Sequence, residues 1–348
     1  MKKILIALCA VATLASCTKS EVLSYDQEAI GFDNAFVDNS TRSVVDPSFS
    51  TSNMFSNFQV YGYVEGAPIF GANGVTVTNT GTNGSVNWTY DGIQYWIADA
   101  KYNFSAVAPV TNAWTKTAAD KDATTLSFIN DGDTDLLYAQ NAEYRSKTVG
   151  TNGTVGFTFR HVLSKVKFSF VNGYNATNSS IRVKDIKILD AYQQGSVELN
   201  ATTSTWAPVE SSNNLTLNFG MATDDQDTDA KENAEVDFTY GQTYESQNEL
   251  FMIPGAGQDV TVENADATTT THPKVYTVKF TVELLVNGAV IKTYPHTIYT
   301  SFVPQPGKAY DLKAEIKPEN IDPSTEQEEI KFTVTTITDW ANQAEQNI

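Results

Sequence analysis

Beyond residue 50 the apolar side chains recur at every second position. Val155, Phe157 and Phe159 alternate with Gly156, Thr158 and Arg160, and Val166, Phe168 and Phe170 with Lys165, Lys167 and Ser169. The longest run is Tyr276, Val278, Phe280, Val282, Leu284 and Val286, interleaved with Thr277, Lys279, Thr281 and Glu283. Tyr310, Leu312, Ala314 and Ile316 form another, and Ile330, Phe332 and Val334 a last one. This period predicts strands with one buried face. No long stretch has helical spacing. At Ile181-Val183 and Ile186-Ile188 the apolar phase slips by one residue across Lys184-Asp185, which predicts a bulge. Asn287-Gly288 lies between two alternating runs and predicts a tight hairpin. Asn83-Gly84, Asp91-Gly92, Asn152-Gly153 and Asn172-Gly173 are similar turn signals.

Many short strands with such turns predict an all-β protein, and the length suggests two β-sandwiches in tandem. The run Gly150 to Gly156 suggests the boundary, giving domains at 28–155 and 156–348. Phe58-Val64, Tyr102-Val107 and Leu136-Ala139 belong to the first. Three polar segments are expected to lack regular structure: Thr18–Gln27, Met221–Glu235 and Lys317–Glu329. The third leaves slack before a final strand at 330–338.

The first residues differ from everything after them. Lys2 and Lys3 precede an uncharged apolar run, Ile4 to Leu14, that is shorter than the about 20 residues needed to span a bilayer. It reads as a secretory signal over residues 1–16. Leu14-Ala15-Ser16-Cys17 is similar to a bacterial lipobox, so Cys17 is expected to carry lipid, palmitate included, at the head of a tether over 17–27. Cys9 leaves with the signal. The mature chain then has no thiol for a disulfide, a zinc site or a nucleophile.

The formal net charge of −18 repels phosphate backbones and anionic membrane surfaces. Nucleic acid is therefore not an expected partner, and membrane attachment is expected through lipid. Catalytic signals are missing. His161, His272 and His296 form no close-spaced ligand pair, and there is no GxSxG, P-loop or GxGxxG. His161 is expected at a strand edge or between domains. Asp131, Asp133 and Asp135 begin like a calcium loop, but Leu136 replaces the required glycine and Ala142 the bidentate glutamate, so a solvated acidic loop is expected. No enzyme activity, metal or cofactor is expected. Trp88, Tyr90, Tyr95, Trp96 and Tyr102 either fill a core or stack on sugars, and the core is the better expectation. Arg42, in the polar stretch Asp38 to Ser43, offers an exposed site to a trypsin-like protease.

Several segments together resemble the Bacteroidales fimbrillin-like lipoproteins, subunits of pili that need proteolysis to assemble. They are Phe157-Thr-Phe-Arg-His-Val-Leu-Ser-Lys-Val-Lys-Phe168, Phe251-Met-Ile-Pro-Gly255, Pro306-Gly-Lys-Ala-Tyr-Asp-Leu312 and the ending Ile330-Lys-Phe-Thr-Val with Trp340. The lipobox and Thr41-Arg42-Ser43 add to the likeness. The resemblance implies two transthyretin-like Greek-key sandwiches, export to the outer membrane and a place in a surface fimbrium contributing to adhesion. It implies cleavage between Arg42 and Ser43, loss of a first strand containing Ile30 to Phe36, and filling of the vacated groove by another subunit. Ile330, Phe332 and Val334 would be the apolar teeth of that donor strand. A monomeric surface lipoprotein that binds glycan or host protein is the alternative.

Overall fold

The computed structural model describes residues 28–37, 56–81, 86–145, 154–210, 214–223, 236–264, 266–321 and 330–337. It is nearly all β, as the alternation predicts, and the described residues form 23 strands, numbered in chain order, and one four-residue helix. Four sheets account for the strands.

The first sheet runs β1 (Phe32–Val37), β10 (Val155–His161), β9 (Leu137–Arg145), β6 (Lys101–Ala108), β2 (Asn57–Val64), β4 (Val75–Asn79) and β5 (Trp88–Thr89), with β3 (Ala67–Pro68) paired to β2. Its central strands bury both faces. In β2, Phe58 and Val60 join Phe104, Phe157 and Phe159 on one side, while Tyr61 and Tyr63 join Val107 and Tyr138 on the other. Gly62 lacks a side chain because Phe70 occupies that space: a Cβ would come within 2.7 Å of its ring.

A second sheet covers the Tyr61 face. Its order is β14 (Ser204–Pro208), β13 (Gln194–Leu199), β8 (Thr124–Ile129) and β7 (Trp114–Ala119). Leu126 and Phe128 of β8 and Val197 and Leu199 of β13 point into the shared core. Half of this sheet thus comes from beyond residue 156. β13 pairs with β8 from Gln194↔Ile129 to Leu199↔Thr124. Arg160 on β10 reaches the same hairpin, donating to the carbonyls of Asn200 and Thr203 at 2.7 Å while standing over the Tyr138 ring. A division at 155/156 therefore cuts through β10 and leaves β7–β8 without their neighbours.

The other two sheets face each other across the largest core. One runs β16 (Ala222–Thr223), β17 (Thr243–Ser246), β11 (Ser164–Asn172), β22 (Ala309–Ile316) and β23 (Thr333–Ile337), with β18 (Leu250–Met252) on β11. The opposing sheet runs β15 (Leu215–Gly220), β12 (Ser179–Ala191), β20 (Thr269–Val286) and β19 (Gln258–Glu263), with β21 (Ala289–Thr300) on β20. Phe168, Phe170, Leu312 and Ala314 meet Ile181, Val183, Val278, Phe280 and Val282 between them. Asn287 and Gly288 close the β20–β21 hairpin with φ of 51° and 75°, the left-handed pair of a type I′ turn. The predicted bulge is present: β12 slips register between Lys184 and Lys187, with Asp185 at φ 57°.

Two of the segments expected to lack regular structure contain some. Ala222 is buried in β16, and only 224–235 lie outside the described residues. Pro318–Ile321 form the helix α1, where Lys317 N donates to Asn320 Oδ1 at 2.7 Å and Ile321 is fully buried. Pro318 tolerates the first helical position because its missing N–H has no partner there. The remaining segment, 18–27, lies outside the described residues.

Candidate functional site

The two ends of the described chain lie on two sheet edges. β1 is the edge strand of the first sheet and pairs in parallel with β10, Phe32 opposite Val155 and Val37 opposite Phe159. Ile30 is 1% exposed and Phe32 5%. The Phe32 ring lies 5.3 Å from Tyr90, 5.9 Å from Phe157 and 6.2 Å from Phe104. Removing β1 would uncover this aromatic wall together with the unpaired backbone of β10, a combination costly to expose to water. Between Asp33 and Phe36 the register slips by one residue, so β1 carries one residue more than β10 can pair.

The lead into β1 is held differently from the rest. Ala29 forms an antiparallel bridge with Tyr95. Ile30 N donates to Gln94 O at 2.8 Å and Trp96 N to Glu28 O at 3.0 Å. On the opposite side Val155 N donates to Gly31 O at 2.8 Å. The Tyr90 hydroxyl donates to Ile30 O at 2.7 Å and accepts from Gln94 N at 3.1 Å. Burial of that phenol pushes its pKa up, so it stays a donor at neutral pH.

At the other end, β23 lies antiparallel on β22, with Val334 opposite Leu312. Ile330 is 1% exposed, Phe332 and Val334 are half-buried, and Lys331, Thr333 and Thr335 face solvent. Phe332 packs its ring against Phe168 at 5.4 Å, Phe280 at 5.9 Å and Phe170 at 6.1 Å. The structure thus places Ile330, Phe332 and Val334 on one core-facing side, in their own domain. Cys17, Arg42 and Ser43 lie outside the described residues.

The other candidates resolve into ordinary packing. Trp88, Trp96 and Tyr102 are buried in the first sheet's core, Tyr90 is half-buried, and Tyr95 is exposed. Asp131 caps its own turn, accepting from Asp133 N, Thr134 N and Thr134 Oγ1. Asp135 meets His161 Nδ1 at 2.6 Å at the end of β10. His272 stacks on Tyr299, and His296 stacks on Phe280, where burial lowers its pKa. Among the described residues no group of three or more His, Cys, Asp or Glu side chains is placed to hold a metal ion.

The aromatic cluster at 88–102 is visible in the sequence, but its role around β1 is not. The Tyr90–Ile30 contact joins positions 60 residues apart, and no local pattern signals it.

A family model described as fimbrillin-like matches residues 41–340. A fimbrial protein from Bacteroides vulgatus ATCC 8482 superimposes with a TM-score of 0.56 at 17% identity, covering 89% of this chain and 99% of the other. At that identity the likeness is one of fold. The fimbrial anchor protein Mfa2 from Porphyromonas gingivalis aligns at a TM-score of 0.35 and 13% identity, over 89% of this chain and 97% of its own. No curated protein sequence matches.

Proposed function

The chain belongs to the fimbrillin-like family, and on that premise we propose that it is a fimbrial subunit that polymerises by protease-triggered strand exchange. A fimbrial or adhesin-like role at the cell surface, structural rather than catalytic, fits the family. In the finer reading the chain is exported as a lipoprotein and held in the outer membrane through Cys17. A cut between Arg42 and Ser43 frees β1. The segment Ile330 to Ile337 of a neighbouring subunit then pairs with β10 and places Ile330, Phe332 and Val334 against the aromatic wall.

One observation carries this reading. Each terminal strand is an edge strand held to its core by apolar side chains, Phe32 on β1 and Phe332 and Val334 at β23, so each can leave without unthreading the sheets between them. The donor's regular alternation also suits a groove whose resident strand is bulged. N-terminal sequencing of the protein shed from the cell surface tests the whole scheme. A start at Ser43 is expected. A population that begins only at lipidated Cys17 would leave a monomeric lipoprotein as the better description.

Two substitutions test its steps separately. Cys17→Ala is expected to abolish metabolic labelling with palmitate and to leave an uncleaved precursor on a denaturing gel. Normal labelling of that variant removes the lipid anchor from the scheme. Limited trypsin digestion of the folded protein is expected to yield first a fragment starting at Ser43, and Arg42→Ala to eliminate that product. First cuts elsewhere, with Arg42 intact, count against an exposed activation segment.

A further inference from the structure

We propose that Tyr90, Gln94 and Trp96 form a clasp that retains the N-terminal strand after the chain is cut. β1 then peels from its Val37 end, and a nicked but still filled subunit precedes exchange. The inference rests on the exchange reading and adds to it an order of events and the residues that set its pace.

The backbone accounting gives the direction. Glu28 to Gly31 is bonded on both sides, to the loop at 94–96 and to the start of β10. From Phe32 onward β1 is an edge strand with β10 as its sheet neighbour, and its register breaks between Asp33 and Phe36. A cut at 42/43 frees the end next to the break, while the clasped end keeps its bonds.

The clasp is itself anchored. Ile97 N donates to the Tyr102 hydroxyl at 2.8 Å, and Trp96 packs edge-on against the Tyr102 ring at 4.8 Å, fixing the loop to β6. Tyr90 joins strand to loop, since its one hydroxyl bonds both Ile30 O and Gln94 N while its ring rests on Phe32 and Phe70. Unzipping from Val37 breaks edge pairs one at a time. Release of residues 28–31 must break bonds on two sides together, and that step limits the rate.

The test uses the full chain nicked at Arg42 with trypsin. Native mass spectrometry follows how long the N-terminal fragment stays bound. Tyr90→Phe keeps the ring and removes both hydroxyl bonds, so release is expected to be about tenfold faster. Tyr138→Phe serves as a control for general loosening. Its hydroxyl bonds Gln140 and Leu199 on the opposite face of the sheet, and its release rate is expected to match the unsubstituted chain. Hydrogen exchange in the nicked protein is expected to expose the amides of 33–37 while that of Ile30 stays protected. Equal release from Tyr90→Phe and the unsubstituted chain overturns the clasp, and so does simultaneous exchange of Ile30 with 33–37. If the fragment never leaves either protein, even with excess peptide spanning residues 330–337, strand exchange itself is refuted. The exchange pattern then still decides the clasp.

Discussion

Subunits cut after Arg42 and carrying Ile330→Asp together with Phe332→Asp will add to a growing fibre once and stop it. Such a subunit still has a vacated groove, so it accepts a donor from the fibre end. What it offers in return has lost two apolar teeth, each contributing about 1.5–3 kcal/mol when fully buried. Two carboxylates must also be desolvated without partners. Together these lower donor affinity by roughly a thousandfold or more. Seeded elongation followed by light scattering should show normal growth from unsubstituted subunits and dose-dependent arrest by the variant. The same residues pack in the subunit's own C-terminal core, Ile330 at 1% exposure and Phe332 against three phenylalanine rings. A cooperative thermal transition must therefore accompany the assay, to show that the variant is folded. Elongation at the unsubstituted rate by folded variant subunits rules out a donor role for this segment.

Phe32→Ala should release β1 without any cut. Phe32 is the strand's largest described anchor, with five aromatic rings within 6.3 Å of its own. Truncating a buried phenylalanine typically costs about 3–5 kcal/mol. Much of that loss falls on a strand that can leave while the remaining sheet stays folded. Intact Phe32→Ala protein is expected to bind a peptide of residues 330–337 in a native gel shift, where the unsubstituted intact protein does not. Its denaturant-unfolding free energy should fall by the same few kcal/mol. A loss below about 1 kcal/mol, with no peptide bound, would mean that Phe32 does not hold the strand.

The alternation of Tyr276 to Val286 and of Tyr310 to Ile316 was enough to place β20 and β22, because a strand that turns its apolar residues to one face writes its period into local sequence, even though Thr277 and Glu283 of β20 are buried on the other. β20 begins earlier, at Thr269, where threonines on an exposed extension pair with β19 and leave no apolar teeth to read. The hairpins β7–β8 and β13–β14 escaped for another reason. Each is short, and their pairing joins positions about seventy residues apart. Lys317 to Glu329 is polar except for Ile321, yet Ile321 and Asn320 are enough to dock its first turn into the core. Of the candidate site, the teeth at Ile330, Phe332 and Val334 were legible from spacing. Ile30 and Phe32 were legible only as two apolar residues in a weak strand. Their importance comes from rings on β2, β6 and β10 and from Tyr90, which only the folded chain assembles.

The shared sheet bears on how such chains diverge. A crossover between two relatives near residue 155 would take β7 and β8 from one parent and β13 and β14 from the other. Six consecutive backbone pairs, the Phe128–Trp206 contact and the stacking of Arg160 over the Tyr138 ring would then have to match by chance. A recombinant joined at the apparent seam between the halves therefore inherits a mismatched sheet. One that exchanges only the terminal strands leaves it whole, so under the proposed strand exchange partner choice is free to change faster than the body that carries it.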